Sequence, residues 1–447
     1  MVCVVAAVLY LCPLALNAPL TDPDEGLHAA ISQEMVERGD LVAPRFLGRA
    51  FLDKPILFFW AQAASIRAFG MNTAAARLPG VLFALLGIAT TGWLAATLFD
   101  RWIGWVAALC YATMVLPFLL AQAPVHDIAL VPLTNLALGF LWRAGADRGS
   151  GIRDPLRAGI TLGLSILTKG LEGVAIVGTG YACYLLLTRA LTRRLVAQGA
   201  AVLAIAVLVA LPWCVAMNAR EPGYLRYYFV ERHVLGFATA TQEHSGQPWW
   251  YYVPLVAGGG LPWFFVIRPA PRTTPAHTFV WTWLGTAVAL LTLSQSKAVT
   301  YILPAMPAIA ILAAASVLTA RTRVVIAIAS TATYLVALVT VGPSIARTHS
   351  ARDLAGYFNA SGRVPATIFV FDQRVSFVYY LRPEVRRQLR RDQIRSVSVE
   401  ELASMQPFPR DAVVTVPADL AATRLPRIPQ LANARREMVG RYLVVSP

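Results

Sequence analysis

The charged stretch TDPDEGLHAAISQEMVERGDLVAPRFLGRAFLDK, residues 21–54, follows directly on an apolar N-terminal run. Its acidic side chains and terminal lysine are Asp22, Asp24, Glu25, Glu34, Glu37, Asp40, Asp53 and Lys54. Much of the remaining sequence is apolar enough to face lipid, and charged side chains are expensive to place inside a bilayer. A dense charged segment kept beside the bilayer therefore predicts a membrane protein with a site of chemistry in this stretch.

The composition supports a membrane protein. Of 447 residues, 57% are hydrophobic and only 14% are charged, whereas soluble domains carry about 25% charged residues. The net charge of +15 would suit a nucleic-acid-binding protein. The arginines, however, lie in short loops between apolar runs, which indicates charge that sets membrane topology.

Eleven apolar runs predict about eleven or more transmembrane helices. They lie at 2–18, 79–99, 102–121, 128–143, 157–168, 171–188, 198–217, 251–267, 278–293, 300–319 and 324–342. The first run, Val2–Ala18, is short for about 30 Å of hydrocarbon, so the natural start is expected to lie upstream.

Basic residues alternate between successive loops. By the positive-inside rule, the loops with Arg148, Arg193 and Arg272 are cytoplasmic. The opposite loops hold the polar segments 21–78, 122–127, 168–172, 218–250 and 294–301. This arrangement predicts a polar cavity open to the exoplasmic side.

Two juxtamembrane helices are predicted in the first exoplasmic loop, residues 21–78. Glu25–Arg38 is amphipathic, and Asp22 or Asp24 can cap it. Pro55–Phe69 is apolar but broken by Gln62 and Arg67, which favours an interfacial helix.

The composition changes at about Arg347, which divides the chain into a membrane domain, 1–346, and a C-terminal domain, 347–447. Short β-rich runs occur at Thr367–Asp372, Val413–Val416 and Tyr442–Val445. Ser376–Leu381 and Glu400–Met405 suit short helices. These patterns predict a small α/β domain, and eleven spans from a cytoplasmic N-terminus place it on the exoplasmic side.

The carboxylates of residues 22–25 could supply a general base and a neighbour that orients it, or they could be acids favoured at a helix N-terminus. Lys54 could bind phosphate as a point charge or be an interfacial lysine. Lys169 and Lys297 stand almost alone on the side that basic residues avoid, which favours anion binding.

Two further side chains leave alternatives open. Asp127, at the start of an apolar span, could cap a helix or face the cavity. His233 and His244 could bind a divalent metal together with Asp53 or Glu25, with Asp53 and His244 as the candidate ligands, but ligand spacing is absent, and solvated loop histidines are the alternative.

In this order the motifs resemble those of the GT-C membrane glycosyltransferases, in the branch of bacterial aminoarabinose lipid A transferases (ArnT-like) and protein mannosyltransferases. The resemblance covers nearly the whole chain. It rests on Asp24-Glu25 with the helix to Met35, Gly39-Asp40, Asp53-Lys54-Pro55, Thr168-Lys169-Gly170, Pro248–Tyr252 and Lys297–Pro304.

The resemblance implies the GT-C fold and specific roles for its matching residues. Asp24 would be the essential carboxylate, with Glu25 beside it and Asp127 as a second cavity carboxylate. Lys54 and Lys169 would hold the donor phosphate, and Tyr301 would line the site. Lys297, isolated in the same way as Lys169, is predicted to bind the phosphate with them. The family commonly has Arg-Tyr where this chain has Leu27 and His28, and aminoarabinose transferases usually have Glu where this chain has Asp53.

The sequence therefore predicts a glycosyltransferase of the bacterial inner membrane with its site on the periplasmic side. It would move a sugar from a polyprenyl phosphate to a lipid (lipid A-like), glycan or protein acceptor by single displacement with inversion. No cofactor is predicted, apart from the metal left open above, and no nucleic-acid partner. A transporter or flippase for an anionic lipid or solute is the alternative, although the acids crowd a surface loop rather than midplane helix breaks.

Overall fold

The computed structural model describes residues 1–123, 125–145, 151–240, 244–268, 273–409 and 411–446. Arg148 and Arg272, which are predicted to lie in cytoplasmic loops, fall outside the described residues. The chain divides into two compact units. The first contains residues 1–16, 52–61 and 77–337, and the second contains residues 17–51, 62–76 and 338–447.

Helices make up most of the chain before residue 348. Those of seven or more residues are Val2–Tyr10, Asp24–Arg38, Leu57–Phe69, Thr73–Leu98, Arg101–Ala112, Val115–Ala121, His126–Gly145, Arg153–Lys169, Glu172–Leu187, Arg193–Arg220, Arg226–Leu235 (a π-helix), Tyr252–Gly259, Pro275–Leu293, Val299–Ala305 (a 3-10 helix), Met306–Ala315, Ala320–Thr340 and Gly342–Thr348.

Five helices within the described residues are long and apolar enough to span a membrane: Thr73–Leu98, His126–Gly145, Arg193–Arg220, Pro275–Leu293 and Ala320–Thr340. Arg101–Ala112 and Val115–Ala121 form a sixth if the pair, bent by 63°, is one span. The chain is a membrane protein. Each of the other predicted runs also contains helix, but these helices are shorter, so the number of eleven stays a prediction.

Small residues and polar pairs hold the apolar helices of the first unit together. A Cβ on Gly104 would lie 2.7 Å from the carbonyl oxygen of Gly92, so the two helices approach with their backbones nearly touching. Asn135 donates to Thr91 Oγ1 at 3.0 Å across a second helix pair. Such contacts replace the hydrophobic driving force that lipid removes.

In the second unit, the first helix predicted for residues 21–78 is present at Asp24–Arg38, with Ala30, Ile31 and Met35 buried. The predicted cap is wrong. The N-cap residue is Pro23, and no side chain caps the helix; the Asp22 carboxylate is instead occupied by hydrogen bonds from residues 351, 375 and 376.

A short hairpin follows that helix, with strand β1 at Arg45–Phe46 and β2 at Arg49–Ala50. The second predicted juxtamembrane helix occurs at Leu57–Phe69. Its Gln62 is fully buried, accepts a hydrogen bond from Ser32 Oγ at 2.6 Å and donates to the Ala76 carbonyl at 2.8 Å. The polar residue that interrupts the apolar run thus packs against protein.

The C-terminal part of the second unit is the predicted α/β domain. Its strands are β3 (Thr367–Val370), β4 (Ile394–Ser396), β5 (Ala412–Pro417), β6 (Arg435–Val439) and β7 (Tyr442–Ser446). The sheet order is β4-β3-β5-β7-β6, with β3 parallel to β4 and β5 and the remaining pairs antiparallel. Every residue of the central strand β5 is buried. Helices Arg352–Ser361 and Val399–Ser404 belong to the same domain.

Candidate active site

A buried ionic cluster lies where three helices of the first unit begin or end. Helix Arg153–Lys169 ends with Lys169, Glu172 begins the next helix, and Asp127 lies in the first turn of His126–Gly145. The Lys169 ammonium group forms ion pairs with Asp127 and, at 2.7 Å, with Glu172. Lys169 and Asp127 are only 5% and 4% exposed, so a low-dielectric environment strengthens their attraction.

Tyr301 completes this cluster from a 3-10 helix, Val299–Ala305. The Lys169 Nζ atom lies 3.8 Å from the centre of the Tyr301 ring, within the range of a cation–π interaction. The structure thus brings together Asp127, Lys169 and Tyr301, three of the residues selected from the sequence. Glu172, which was not among the predicted site residues, is the fourth member.

Lys54 differs from Lys169 in having no counter-ion among the described residues. It is half-buried, and none of the described residues places a carboxylate within 4.0 Å of its ammonium group. Its positive charge nevertheless acts on Asp127 and Glu172. The cluster therefore has an additional cation beside it that no acid in the described ranges neutralises.

Lys297 is a third lysine of this kind and is 5% exposed. Its Nζ donates to the Ser294 carbonyl at 2.5 Å, and its backbone N–H donates to the His244 carbonyl at 3.0 Å. Within the described part of the chain it has no carboxylate partner. An ammonium group this buried favours an anionic ligand, because hydrogen bonds to neutral groups compensate charge desolvation only in part.

Asp53 contacts a tyrosine and an arginine from the segment 218–250. The Tyr227 hydroxyl donates to its carboxylate at 2.6 Å, and Arg232 forms an ion pair with it at 3.3 Å. Among the described residues, no three or more His, Cys, Asp and Glu side chains cluster as metal ligands would. Metal binding by Asp53 and His244 stays a prediction.

His233 holds the end of the helix that carries Lys169. Its Nδ1 lies 2.7 Å from the Tyr228 carbonyl and its Nε2 lies 3.2 Å from the Lys169 carbonyl. Burial, reinforced by the charges of Lys54 and Lys169, lowers the pKa of His233 against the opposing effect of the two carbonyl oxygens that face its ring nitrogens. Gly170, the residue after Lys169, has a φ of +68°, and a Cβ added to it would lie 2.3 Å from His233 Nε2.

The carboxylates of the opening stretch belong to the second unit. Asp24 is the exposed first residue of its helix. Glu25 is buried and accepts hydrogen bonds from the Thr21 N–H at 2.7 Å and the Thr21 hydroxyl at 2.9 Å. Burial raises the pKa of Asp22 to about 6, against the opposing effects of hydrogen bonds from Ser376 and Val375 and of the Arg374 charge.

The lysines and Asp24 differ in the chemistry that they can perform. Lys54 and Lys297 are cations available to an anionic group, whereas Lys169 is already neutralised by Asp127 and Glu172. The exposed carboxylate of Asp24 is available to accept a proton. Glu172 could have been found in the sequence, because it is an acid three residues after Lys169 in a segment otherwise poor in charge.

Residues 53–215 match the family model of dolichyl-phosphate-mannose-protein mannosyltransferase. The chain is 32% identical over 317 residues to the undecaprenyl phosphate-alpha-4-amino-4-deoxy-L-arabinose arabinosyl transferase of Aeromonas hydrophila, and 34% identical over 312 residues to that of Pseudomonas paraeruginosa. The alignments cover 69% and 68% of this chain but only 57% and 56% of those relatives.

The fold is similar to that of ArnT from Cupriavidus metallidurans bound to undecaprenyl phosphate, with a TM-score of 0.75 at 22% identity over 99% of this chain and 97% of that one. It also resembles the oligosaccharyltransferase AglB of Archaeoglobus fulgidus, with a TM-score of 0.59 at 12% identity over 100% of this chain and 74% of that one. The resemblance stated from the motifs is confirmed.

Proposed function

Because this chain belongs to the ArnT-like superfamily of GT-C membrane glycosyltransferases, we propose that it transfers a sugar from a polyprenyl phosphate to an acceptor on the exoplasmic face of the membrane. The matched curated relatives are arabinosyl transferases that use an undecaprenyl phosphate donor. The chain spans little more than half of their length. The activity is therefore proposed for these 447 residues.

The observation that carries the proposal is that three lysines differ in their ion pairing. Lys169 is neutralised within the buried cluster, whereas Lys54 and Lys297 have no carboxylate partner among the described residues. A phosphate group would supply the missing negative charge, through charge-assisted hydrogen bonds that are stronger than neutral ones. A polyprenyl-phosphate sugar meets this requirement and also suits a protein embedded in lipid.

The proposed reaction is a single displacement with inversion at the anomeric carbon. An acceptor oxygen forms a bond to that carbon while the bond to the phosphate oxygen breaks, and polyprenyl phosphate leaves with the electron pair. Lys54 and Lys297 would stabilise the negative charge that develops on the leaving phosphate. Asp24 would accept the proton of the acceptor hydroxyl.

The first donor to test is the one in the relatives' names, undecaprenyl phosphate-4-amino-4-deoxy-L-arabinose. Leu27 and His28 replace the Arg-Tyr that the family commonly has, so polar contacts at these positions differ. The His28 ring packs on Phe51, with ring centres 6.1 Å apart. A lipid A-like acceptor is the first candidate, and a glycan or a protein acceptor is the next.

Transfer is tested with the purified chain in nanodiscs, a panel of labelled polyprenyl-phosphate sugars and bacterial envelope lipids as acceptors. Label that moves to an acceptor with equimolar release of polyprenyl phosphate supports the proposal. In proteoliposomes, donors that cross the bilayer with the sugar still attached would instead favour the transporter alternative.

We also propose that the chain lies in the bacterial inner membrane and crosses it eleven times. Its active site and C-terminal domain would then face the periplasm. The alternation of basic loops supports this orientation. Single cysteines at positions 40 and 400 should react with an impermeant reagent in intact spheroplasts, whereas a cysteine at 193 should react only after lysis. Reaction at 193 before lysis would contradict the orientation.

A further inference from the structure

The Asp22 carboxylate joins the opening stretch to the C-terminal domain within the second unit. Its Oδ1 accepts from the backbone N–H groups of Val375, at 2.7 Å, and Ser376, at 2.6 Å. Its Oδ2 accepts from the Ser376 hydroxyl at 2.7 Å and from the Ala351 N–H at 3.2 Å. The carboxylate thus accepts four hydrogen bonds, although its segment is predicted to be a surface loop, where a carboxylate would mainly contact water.

A second contact with the same serine lies four residues later. A Cβ added to Gly26 would be 2.3 Å from the Ser376 Cβ, so the helix backbone packs directly against this residue. Asp24 lies midway between the two contact points and begins the helix. Its backbone is therefore fixed on both sides by residues that contact Ser376.

We propose that Asp22 is a positioning residue, which fixes the 22–26 corner on Ser376 and thereby sets where the Asp24 carboxylate points. The inference rests on the proposed function only in that Asp24 is the predicted base. It assigns the C-terminal domain a role in catalysis, since residues 351, 375 and 376 hold the corner.

The same helix offers a matched control at its other end. Glu37 forms an ion pair with Arg386, a residue of the C-terminal domain, and accepts a hydrogen bond from Arg386 Nε at 3.3 Å. At about 1.5 Å per residue, Glu37 lies about 20 Å along the helix from Asp24. Glu37→Ala therefore loosens the helix from the domain without disturbing the corner.

The experiment compares turnover and donor KM for the wild type, Asp22→Ala, Asp22→Asn and Glu37→Ala. A displacement of about 1 Å can cost about 100-fold in rate, so Asp22→Ala should lower kcat by about 10- to 100-fold with little change in donor KM. Asp22→Asn keeps one oxygen for the Val375 and Ser376 amides and should retain most of the turnover. Glu37→Ala should keep kcat near the wild-type value. Equal losses of kcat in Asp22→Ala and Glu37→Ala would overturn the proposal.

Amide hydrogen exchange gives a readout that does not need the reaction. Asp22→Ala should raise exchange at residues 21–28 and 375–376, and Glu37→Ala should raise it only near the helix C-terminus. If the wild type transfers no sugar but the exchange pattern is as expected, the proposed function fails and the corner contact stands. Unchanged exchange at 21–28 in Asp22→Ala would overturn the positioning role. If Asp22→Ala does not fold, Ser376→Ala, which keeps the Cβ and removes one donor, takes its place in both measurements.

Discussion

Replacing Lys169 by methionine removes the one ammonium group that pairs with both Asp127 and Glu172. Methionine retains an unbranched apolar side chain of similar length, so the packing of the stem changes little. What changes is the charge balance, because two carboxylates remain in a largely buried site without their shared cation. Lys54 also acts on both acids, but it forms no ion pair with them.

Removing one partner of a buried ion pair typically costs about 3–5 kcal/mol, because the remaining charge is uncompensated. Here one cation serves two acids, so the loss of stability for Lys169→Met should lie toward the upper end of that range. Asp127→Asn in the same chain removes one of the stranded charges. We therefore expect the double variant to regain part of the loss, with a coupling of about 0.5–3 kcal/mol.

Thermal unfolding of the four proteins in one detergent measures this coupling, and activity is not required. Lys54→Met is the matched control, since it makes the same substitution at a lysine without an ion pair in the described residues and should melt close to the wild type. Losses for Lys169→Met and Asp127→Asn that simply add, or a Lys169→Met variant as stable as the wild type, would refute the buried cluster.

Three further predictions follow from the same structure. Lys54→Ala should weaken donor binding by about 10- to 150-fold, as expected for a charge-assisted hydrogen bond of about 1.5–3 kcal/mol, while leaving the melting temperature unchanged; equal donor affinity would make Lys54 an interfacial anchor. The pKa of Asp22 is raised to about 6, so the folded chain binds this proton more tightly than the unfolded chain does. The free energy of unfolding should therefore fall by about 1.4 kcal/mol per pH unit as the pH rises from about 4 to 6. Melting relative to the non-titrating Asp22→Asn measures this, and a difference that does not vary with pH contradicts it. Gly170→Ala should lower stability by about 1–3 kcal/mol because its backbone conformation favours glycine and its Cβ meets His233; a melting temperature equal to that of the wild type would contradict the geometry.

The strong local patterns of the sequence predicted the main elements. The helix in the opening stretch and the strands at 367–372, 413–416 and 442–445 appear within a few residues of their predicted bounds. Each combines a clear hydrophobic period with a recognisable boundary. Strands β4 and β6 were missed because they lie at the edges of the sheet. Their sequences IRS and RREMV expose charged side chains, as edge strands commonly do.

The site was predicted residue by residue only where a local feature marked it. Lys169 and Asp127 stood out as charges at membrane boundaries, and the structure pairs them. The environment of Asp22 could not be predicted, because its partners lie more than 300 positions away in the chain. The sequence suggested that Asp22 could cap the helix, but long-range hydrogen bonds determine its surroundings.

The roles of the three lysines depend on pairing that no sequence pattern shows. Lys54, Lys169 and Lys297 were all candidates for phosphate binding, yet only Lys169 has acidic partners in the described residues. Glu172, three residues after Lys169 and at the start of the next helix, supplies the second of those acids. The sequence shows that these two residues are close along the chain, but which lysine a buried acid pairs with depends on packing between helices.

A single-turnover experiment with Asp24→Asn tests the central claim most directly. The variant is loaded with labelled polyprenyl-phosphate sugar, acceptor is added, and the release of polyprenyl phosphate is followed beside the wild type. General-base catalysis is typically worth about 10²–10⁴ in rate, so we predict donor binding like that of the wild type and release slower by that factor. Release at the wild-type rate from Asp24→Asn would contradict the account.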